Sequence, residues 1–314
     1  MSNALIFPGQ GSHSVGMGRE VADAYPEAMA VFEEVDDALG EKLSAVIWEG
    51  EKNDVNLTRN TQPALMAVSM AILRVTESRG LRVADHAAYV AGHSLGEYTA
   101  LAAAGSIGIG ETARLLRIRG DAMQEAVPVG EGAMAAVLGL DLEQVIEVVQ
   151  KASQGEICQA ANDNAPGQVV VSGTRSAVER AVDIAKAQGA RRAILLPVSA
   201  PFHCALMEPA ADVMADALAN TDINTPCVPL VANVTASPTD DPVQIRMQLV
   251  EQITGSVRWR ESVLWMAENG VGQCVEIGAG KVLTGLTKRI ASDVAGMSVA
   301  KVDDIDAAVA ALTQ

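Results

Sequence analysis

The stretch YVAGHSLGEYTA at residues 89–100 constrains the fold of this chain more than any other feature of its sequence. It runs from apolar residues through Gly-x-Ser-x-Gly into a helical pattern, so that Ser94 stands between Gly92 and Gly96. A serine at such a seam projects its hydroxyl above a sheet, and the small flanking residues let strand and helix pack closely. The stretch therefore predicts a strand–turn–helix unit with a functional serine at the turn.

Apolar strands alternate with amphipathic helices along most of the chain, which predicts an α/β fold with a mainly parallel sheet. Between residues 129 and 198 the patterns follow one another as β-α-β-β-α-β, the ferredoxin-like unit. We therefore expect a large domain formed by residues 1–128 and 199–314, with a ferredoxin-like subdomain inserted at 129–198. A chain of 314 residues is long enough for this arrangement.

Composition excludes several classes of function. The net charge of −16 would repel nucleic acid. Neither a metal-binding motif nor a C-x-x-C pair occurs among four histidines and four dispersed cysteines, so we expect no bound metal and a reducing compartment. No apolar run approaches the ~18 residues of a membrane span, and the N-terminus lacks a signal-peptide pattern. We therefore expect a cytoplasmic location and no membrane partner.

A serine nucleophile needs a site for the developing oxyanion. The amide of Leu95, the residue after the serine, lies at a predicted helix N-terminus, where the helix dipole favours negative charge. A second amide in such folds comes from a loop after another strand. In FPGQGS, Gly9 and Gly11 allow close approach of the Gln10 backbone, although an ordinary glycine-rich turn explains the same residues.

The serine also needs a base, and His203 is the best candidate because it lies in a loop that precedes a predicted helix. His93 adjoins the serine, and we expect its side chain to shape the pocket instead. A hydrolase of this chain order carries an acid between serine and histidine. Asp163 and Asp183 are the nearest candidates, and neither can be assigned. A backbone carbonyl that holds the imidazole tautomer is chemically sufficient.

Arg119 falls on the apolar side of a predicted helix at about 110–126. A buried arginine must be paired. A carboxylate of the protein could be its partner, in a structural salt bridge. The alternative is a substrate carboxylate, which the guanidinium fork would bind through two parallel hydrogen bonds.

Eight motifs in order along the chain resemble one known family: FPGQGS, TQPALMA, GHSLGEYTALAAAG, RLLRIRGDAMQ, CQAANDNAPGQVVVSG, LPVSAPFHCALM, VPLVANVTA and EIGAGKVLTGLTKRI. The chain is similar, from residue 4 to about 290, to malonyl-CoA:acyl carrier protein transacylases of bacterial fatty acid synthesis. It also resembles the acyltransferase domains of polyketide synthases.

The resemblance implies an α/β-hydrolase-like large domain with a ferredoxin-like insert. It implies that Ser94 carries a malonyl ester and that His203 is the general base and acid. It makes Arg119 the clamp for the acyl carboxylate, and it places the backbone carbonyl that holds the histidine at Gln252. The amides of Gln10 and Leu95 become the oxyanion hole.

The resemblance also implies residues around the acyl group and partners for the reaction. Asn164 and Gln168 line the cleft from the insert, and Phe202 favours malonyl over methylmalonyl groups. The substrates are malonyl-CoA, a CoA thioester, and the phosphopantetheine thiol of an acidic holo-acyl carrier protein, with no bound cofactor. We expect this carrier to dock on basic residues near the cleft mouth: Arg191, Arg192, Lys281, Lys288 and Arg289.

Two other functions remain open on the sequence. A serine esterase or thioesterase could use the same elbow, although the missing acid and the buried-side arginine count against it. A non-catalytic subunit that docks acyl carrier protein would have no need for the serine, histidine and arginine together. Covalent acylation and the fate of the acyl group distinguish these alternatives.

Overall fold

Two separate β-sheets organise the chain in the computed structural model, which describes residues 2–198 and 200–313. Within those residues the strands are β1 (Ser2–Phe7), β2 (Tyr89–Gly92), β3 (Gly132–Leu138), β4 (Cys158–Ala165), β5 (Gln168–Thr174), β6 (Arg192–Leu195), β7 (Leu230–Val231), β8 (Pro238–Thr239), β9 (Val271–Ile277) and β10 (Ala295–Val299).

Helices surround and connect these strands. In chain order they are α1 (Arg19–Ala24), α2 (Pro26–Leu39), α3 (Leu43–Glu49), α4 (Lys52–Asn56), α5 (Thr58–Ser78), α6 (Val83–His86), α7 (Gly96–Ala103), α8 (Ile109–Glu125), α9 (Leu142–Ser153), α10 (Arg175–Ala187), α11 (Glu208–Ala219), α12 (Pro242–Thr254), α13 (Trp259–Glu268), α14 (Val282–Ile290) and α15 (Val302–Leu312). A 3₁₀ turn at Ala205–Met207 precedes α11. No helix in the described part of the chain is long and apolar enough to cross a membrane.

The larger sheet has the strand order β10-β9-β1-β2-β7-β8, and only the short edge strand β8 is antiparallel to its neighbour. Along β1, Leu5 and Phe7 enter one hydrophobic core, while Ala4 and Ile6 enter another. Both faces of this strand are therefore covered, as is usual for a parallel sheet. The predicted α/β fold with a mainly parallel sheet is confirmed.

The smaller sheet is antiparallel, with the order β4-β5-β3-β6. Its strands and the helices α9 and α10 follow one another as β-α-β-β-α-β, and they enclose a hydrophobic core of their own. The domain limits at 128/129 and 198/199 stay a prediction. Met1, Ser199 and Gln314, which those limits include, lie outside the described residues.

Three features of the elements are not evident from the sequence patterns. Helix α5 begins at Thr58, before the motif TQPALMA, and the hydroxyl of Thr61 within it donates to the carbonyl oxygens of Val55 and Leu57. Within VPLVANVTA only Leu230 and Val231 form a strand. Strand β10 and helix α15 were not predicted, although β10 completes the edge beside β9.

Candidate active site

Ser94 follows β2 at the carboxyl edge of the parallel sheet, and its φ of 54° lies in the left-handed region. Such a conformation is strained for a residue with a side chain and persists only where the surroundings hold it. The side chain of Asn233, just beyond β7, does so. Its oxygen accepts a hydrogen bond from the Ser94 amide at 2.8 Å, and its nitrogen donates to the Gly92 carbonyl at 2.7 Å.

Glycines let the segments around the serine approach backbone to backbone. A Cβ on Gly92 would lie 1.9 Å from the carbonyl of Gly96, and a Cβ on Gly96 would lie 2.3 Å from the carbonyl oxygen of Phe7. A Cβ on Gly9 would lie 2.5 Å from the His93 carbonyl oxygen. Only glycine fits at these positions, so the Gly-x-Ser-x-Gly pattern and the loop after β1 form one packed unit.

His203 meets the serine from a loop before α11. Its Nε2 lies 2.8 Å from the Ser94 Oγ, and its Nδ1 lies 2.9 Å from the backbone carbonyl oxygen of Gln252. A carbonyl can only accept, so Nδ1 carries the proton and Nε2 presents a lone pair to the serine hydroxyl. The imidazole is thus held in the tautomer that a general base requires.

Neither aspartate considered from the sequence serves as the third group. Asp163 is buried and accepts from Arg260 Nε at 2.8 Å, while Asp183 lies 3.8 Å from Lys186 on α10. His203 is oriented by a backbone carbonyl, which explains why the sequence offers no assignable acid.

Arg119 projects from α8 into the same site and is 1% exposed. Its Nη2 donates to Ser94 Oγ at 3.1 Å and to the Gln252 side-chain oxygen at 2.8 Å. Its Nη1 donates to the Gln62 side-chain oxygen at 2.7 Å. The hydroxyl of Ser94 accepts from Arg119, and its own proton is therefore directed toward the histidine.

The other arginines of α8 are held by ion pairs. Arg114 pairs with Glu111 at 2.7 Å, and Arg117 pairs with Glu41. Arg119 contacts amide and hydroxyl oxygens, with no direct carboxylate partner among the described residues. The structural salt bridge considered for Arg119 is therefore absent from this part of the chain, and its fork is available to an anionic ligand.

Gln252 contributes its side chain as well as its carbonyl. Its Nε2 donates to the Ser94 carbonyl at 3.0 Å and to Oε2 of Glu97 at 2.6 Å, which leaves its oxygen facing Arg119. Glu97 is fully buried, and its Oε2 also accepts a hydrogen bond from the backbone N–H of Asn233 at 3.3 Å. One network therefore connects the serine, the arginine and a buried carboxyl.

Burial is the largest cause of the pKa shifts of His203, Glu97 and Arg119. It lowers the pKa of His203 to about 3, and the neighbouring Arg119 acts in the same direction. It raises the pKa of the Glu97 carboxyl to about 7. It also lowers the pKa of the Arg119 guanidinium, which stays cationic because its ordinary value is so high. At neutral pH the imidazole is uncharged and able to accept a proton.

The two amides expected to form an oxyanion hole belong to segments that follow neighbouring strands. Leu95 is buried and immediately precedes the first residue of α7. Gln10 is exposed in the loop after β1, and Phe7 at the end of that strand lies opposite Gly92 at the end of β2. The loop and the elbow therefore emerge side by side, and the role of the two amides stays a prediction.

The other residues expected to line the cleft have different partners. The Nε2 of His93 lies 2.8 Å from the Asn164 side-chain oxygen, which connects the elbow to β4. Phe202 is 8% exposed and packs in the main core. The side chain of Gln168 instead accepts from Arg289 of α14, so its contact is with that helix and not with the serine.

Arg192 and Arg289, two of the basic residues expected to dock a carrier, lie near one end of the small sheet. Leu138 of β3 is flanked by Gln168 and Arg192, which places the last two roughly 10 Å apart. Arg289 contacts Gln168 and donates to the Pro166 carbonyl at 3.1 Å. The remaining members of the predicted set are also exposed: Arg191, Lys281 and Lys288.

Three residues of the site were not singled out from the sequence. Gln62 and Glu97 are polar residues within apolar helical stretches, and that mismatch is a signal of a buried polar network. Asn233 carries no such signal, because an asparagine after a short strand is usual in a turn.

Comparisons with known proteins agree with this geometry. Residues 4–303 match the family model described as acyl transferase domain. The chain is 45% identical over 304 residues to a malonyl CoA-acyl carrier protein transacylase of Haemophilus influenzae, covering 97% of each chain. It is 54% identical to the acyl-carrier-protein-S-malonyltransferase of Bartonella henselae, with full coverage of both chains and a TM-score of 0.98. A structure of a type II PKS acyl-carrier protein in complex with its malonyl-transacylase matches 99% of this chain at 44% identity, with a TM-score of 0.96.

Proposed function

Because the chain belongs to the acyl transferase domain family, we propose that it transfers a malonyl group from malonyl-CoA to the phosphopantetheine thiol of a holo-acyl carrier protein. The observation that carries the proposal is the convergence of Ser94, His203 and Arg119. An imidazole 2.8 Å from the serine hydroxyl supplies the base, and a buried guanidinium 3.1 Å from the same oxygen supplies a partner for the acyl carboxylate.

In the first half-reaction His203 Nε2 takes the proton of Ser94 as its Oγ attacks the thioester carbonyl. The amides of Gln10 and Leu95 stabilise the oxyanion of the tetrahedral intermediate. When this intermediate collapses, the histidine returns the proton to the departing CoA sulfur. The products are a malonyl-serine ester and free CoA.

Arg119 positions the acyl group by binding its carboxylate through two parallel hydrogen bonds. The carboxylate replaces the amide oxygens of Gln62 and Gln252 at the fork. An acetyl group offers no such partner, so it gains nothing from the buried charge. Phe202, next to the histidine, leaves little space for an α-methyl branch, and His93 and Asn164 form the wall toward the small sheet.

In the second half-reaction the carrier thiol attacks the malonyl ester, and His203 again acts as base and then as acid. The carrier docks on the exposed basic residues around the end of the small sheet, where Arg289 and Arg192 add a local positive field to an acidic protein. Gln168 contributes by orienting Arg289.

The proposal extends to the architecture and setting of the enzyme. The six-stranded sheet with a serine at the turn after β2 supports an α/β-hydrolase-like large domain, and the β-α-β-β-α-β order supports a ferredoxin-like insert. The chemistry uses side chains and backbone amides, with the CoA thioester as substrate and no bound cofactor. A cytoplasmic location is supported by cysteines that are unpaired throughout the described residues.

Intact-mass measurement after incubation with malonyl-CoA tests the proposal. We expect one malonyl adduct per wild-type chain, release of one equivalent of CoA, and transfer of the adduct when holo-carrier is added. Ser94→Ala should abolish the adduct. Continuous CoA release without carrier would establish an esterase or thioesterase instead. An adduct of equal stoichiometry in Ser94→Ala would place the nucleophile elsewhere.

A further inference from the structure

The buried carboxyl of Glu97 has no direct role in the reaction proposed above, yet it belongs to the same network. It lies on α7, three residues after the serine, and is fully buried. Its Oε2 accepts from Gln252 and from the Asn233 amide. Its Oε1 is buried and has no hydrogen-bond partner among the described residues. A buried polar atom left without a partner requires an explanation.

Arg119 and the ionised form of Glu97 are the two charged groups of this cluster. They are joined through the Gln252 side chain and not directly. The other titratable groups around them are neutral. Burial lowers the pKa of His203 and His93, and it raises the pKa of Tyr98, so none of the three carries charge near pH 7. Besides Arg119, the groups that act on the Glu97 carboxyl are Gln252 and Asn233, and both are uncharged.

A substrate carboxylate changes this balance. When it binds the guanidinium, two carboxylates share one buried cation, and like charges in a buried site are not both retained. We propose that Glu97 is the resident counter-charge of Arg119 and that it takes up a proton when the acyl carboxylate binds. This inference rests on the proposed malonyl transfer and deepens it.

The geometry allows this proton uptake without breaking the hydrogen bond between Gln252 and Glu97. The proton adds to Oε1, the oxygen without a partner, while Oε2 continues to accept from Gln252. The orientation of the Gln252 amide is therefore kept in both states. Glu97 does not touch the reacting atoms, and it acts through Gln252 as a positioning residue. Burial raises the pKa of this carboxyl to about 7, so the proton is taken up within the working range of most enzymes.

The net proton uptake that accompanies malonylation tests this inference directly. The acylation itself consumes no proton, because the serine proton leaves on the CoA thiol. Above pH 7 the ionised form of Glu97 predominates, so the expected uptake approaches one proton per malonyl adduct as the pH increases. A pH indicator in weak buffer measures this uptake, and intact mass measures the adduct in the same sample.

Glu97→Gln keeps an acceptor for Gln252 and removes the charge. We expect this variant to form the adduct without proton uptake. Its KM for malonyl-CoA should be independent of pH above 7, whereas the wild-type KM should rise by up to about tenfold per pH unit. Glu251→Gln, the same substitution at an exposed position next to Gln252, is the matched control and should behave as wild type.

The outcomes separate this inference from the proposed function. Uptake by Glu97→Gln equal to that of the wild type would overturn the inference. If Glu97→Gln does not fold, the pH dependence of proton uptake by the wild-type protein tests the inference. Its uptake per adduct should approach zero at pH 6 and increase toward pH 8, and an uptake that does not change over this range would overturn the inference. A wild-type chain that forms no malonyl adduct would instead refute the proposed function.

Discussion

Substitution of Arg119 by alanine should change which acyl group the protein accepts. The guanidinium directs Nη1 and Nη2 at the side-chain oxygens of Gln62 and Gln252, and a bound carboxylate would replace these two acceptors. Each hydrogen bond to a charged group is worth about 1.5–3 kcal/mol, so the loss of two corresponds to about 3–6 kcal/mol. The loss of these two bonds alone should lower the kcat/KM for malonyl-CoA roughly 100- to 10,000-fold.

An acetyl group has no carboxylate, so it loses a smaller interaction. Its transfer depends on Arg119 only through the single bond from Nη2 to the Ser94 hydroxyl. That bond is also made by the charged guanidinium, so its loss predicts a decrease of about 10- to 100-fold for both acyl groups. The ratio of malonyl to acetyl transfer should therefore fall through the two carboxylate bonds alone, about 100- to 10,000-fold, and this ratio is independent of the fraction of active enzyme.

Single-turnover acylation followed by intact mass measures both rates under identical conditions. Arg114→Ala is the matched control, because this arginine lies on the same helix and is paired with Glu111 at the surface. It should leave the ratio unchanged. Equal losses of malonyl and acetyl transfer in Arg119→Ala would refute the carboxylate-binding role and leave Arg119 as a group that only orients the serine.

Two further predictions concern selectivity and docking. Phe202→Ala should increase methylmalonyl transfer relative to malonyl transfer by about 10- to 200-fold, the range for one methylene in a pocket, as measured by competition between the two thioesters. An unchanged ratio would make Phe202 a core residue only. Arg289→Glu should raise the KM for holo-carrier and reduce its dependence on salt, while acylation by malonyl-CoA stays at the wild-type rate. A slower acylation step would instead indicate that reversing the charge at residue 289 disturbs the cleft.

The convergence of Ser94, His203 and Arg119 could be predicted because each has a local signal. The serine is fixed by flanking glycines, the arginine by its apolar helical face, and the histidine by its loop before a helix. Parallel strands then bring their carboxyl ends to one edge of the sheet. Resemblance to a family added Gln252, whose carbonyl no residue pattern could have identified.

The parts that escaped prediction depend on contacts between distant segments. Strand β7 is short because Asn233 turns away from the sheet to bind the elbow, a bond between residues 139 positions apart. Strand β10 is an edge strand with exposed residues, so its sequence has little of the apolar pattern that marks a buried strand. Gln62 and Glu97 join the site only through hydrogen bonds to partners on α8 and α12.

The strained backbone at the site explains why so much of the network converges on Gln252. Ser94 and His203 both have positive φ, at 54° and 58°, and each costs free energy that the surroundings must offset. Gln252 contacts both, through its side chain to the Ser94 carbonyl and through its own carbonyl to the imidazole. Because the same side chain also accepts from Arg119, one residue at the end of α12 fixes the distances among nucleophile, base and carboxylate-binding group. Holding catalytic groups in the productive geometry lowers the barrier to reaction, so a substitution at Gln252 that removes its side chain should disturb the placement of both Ser94 and Arg119.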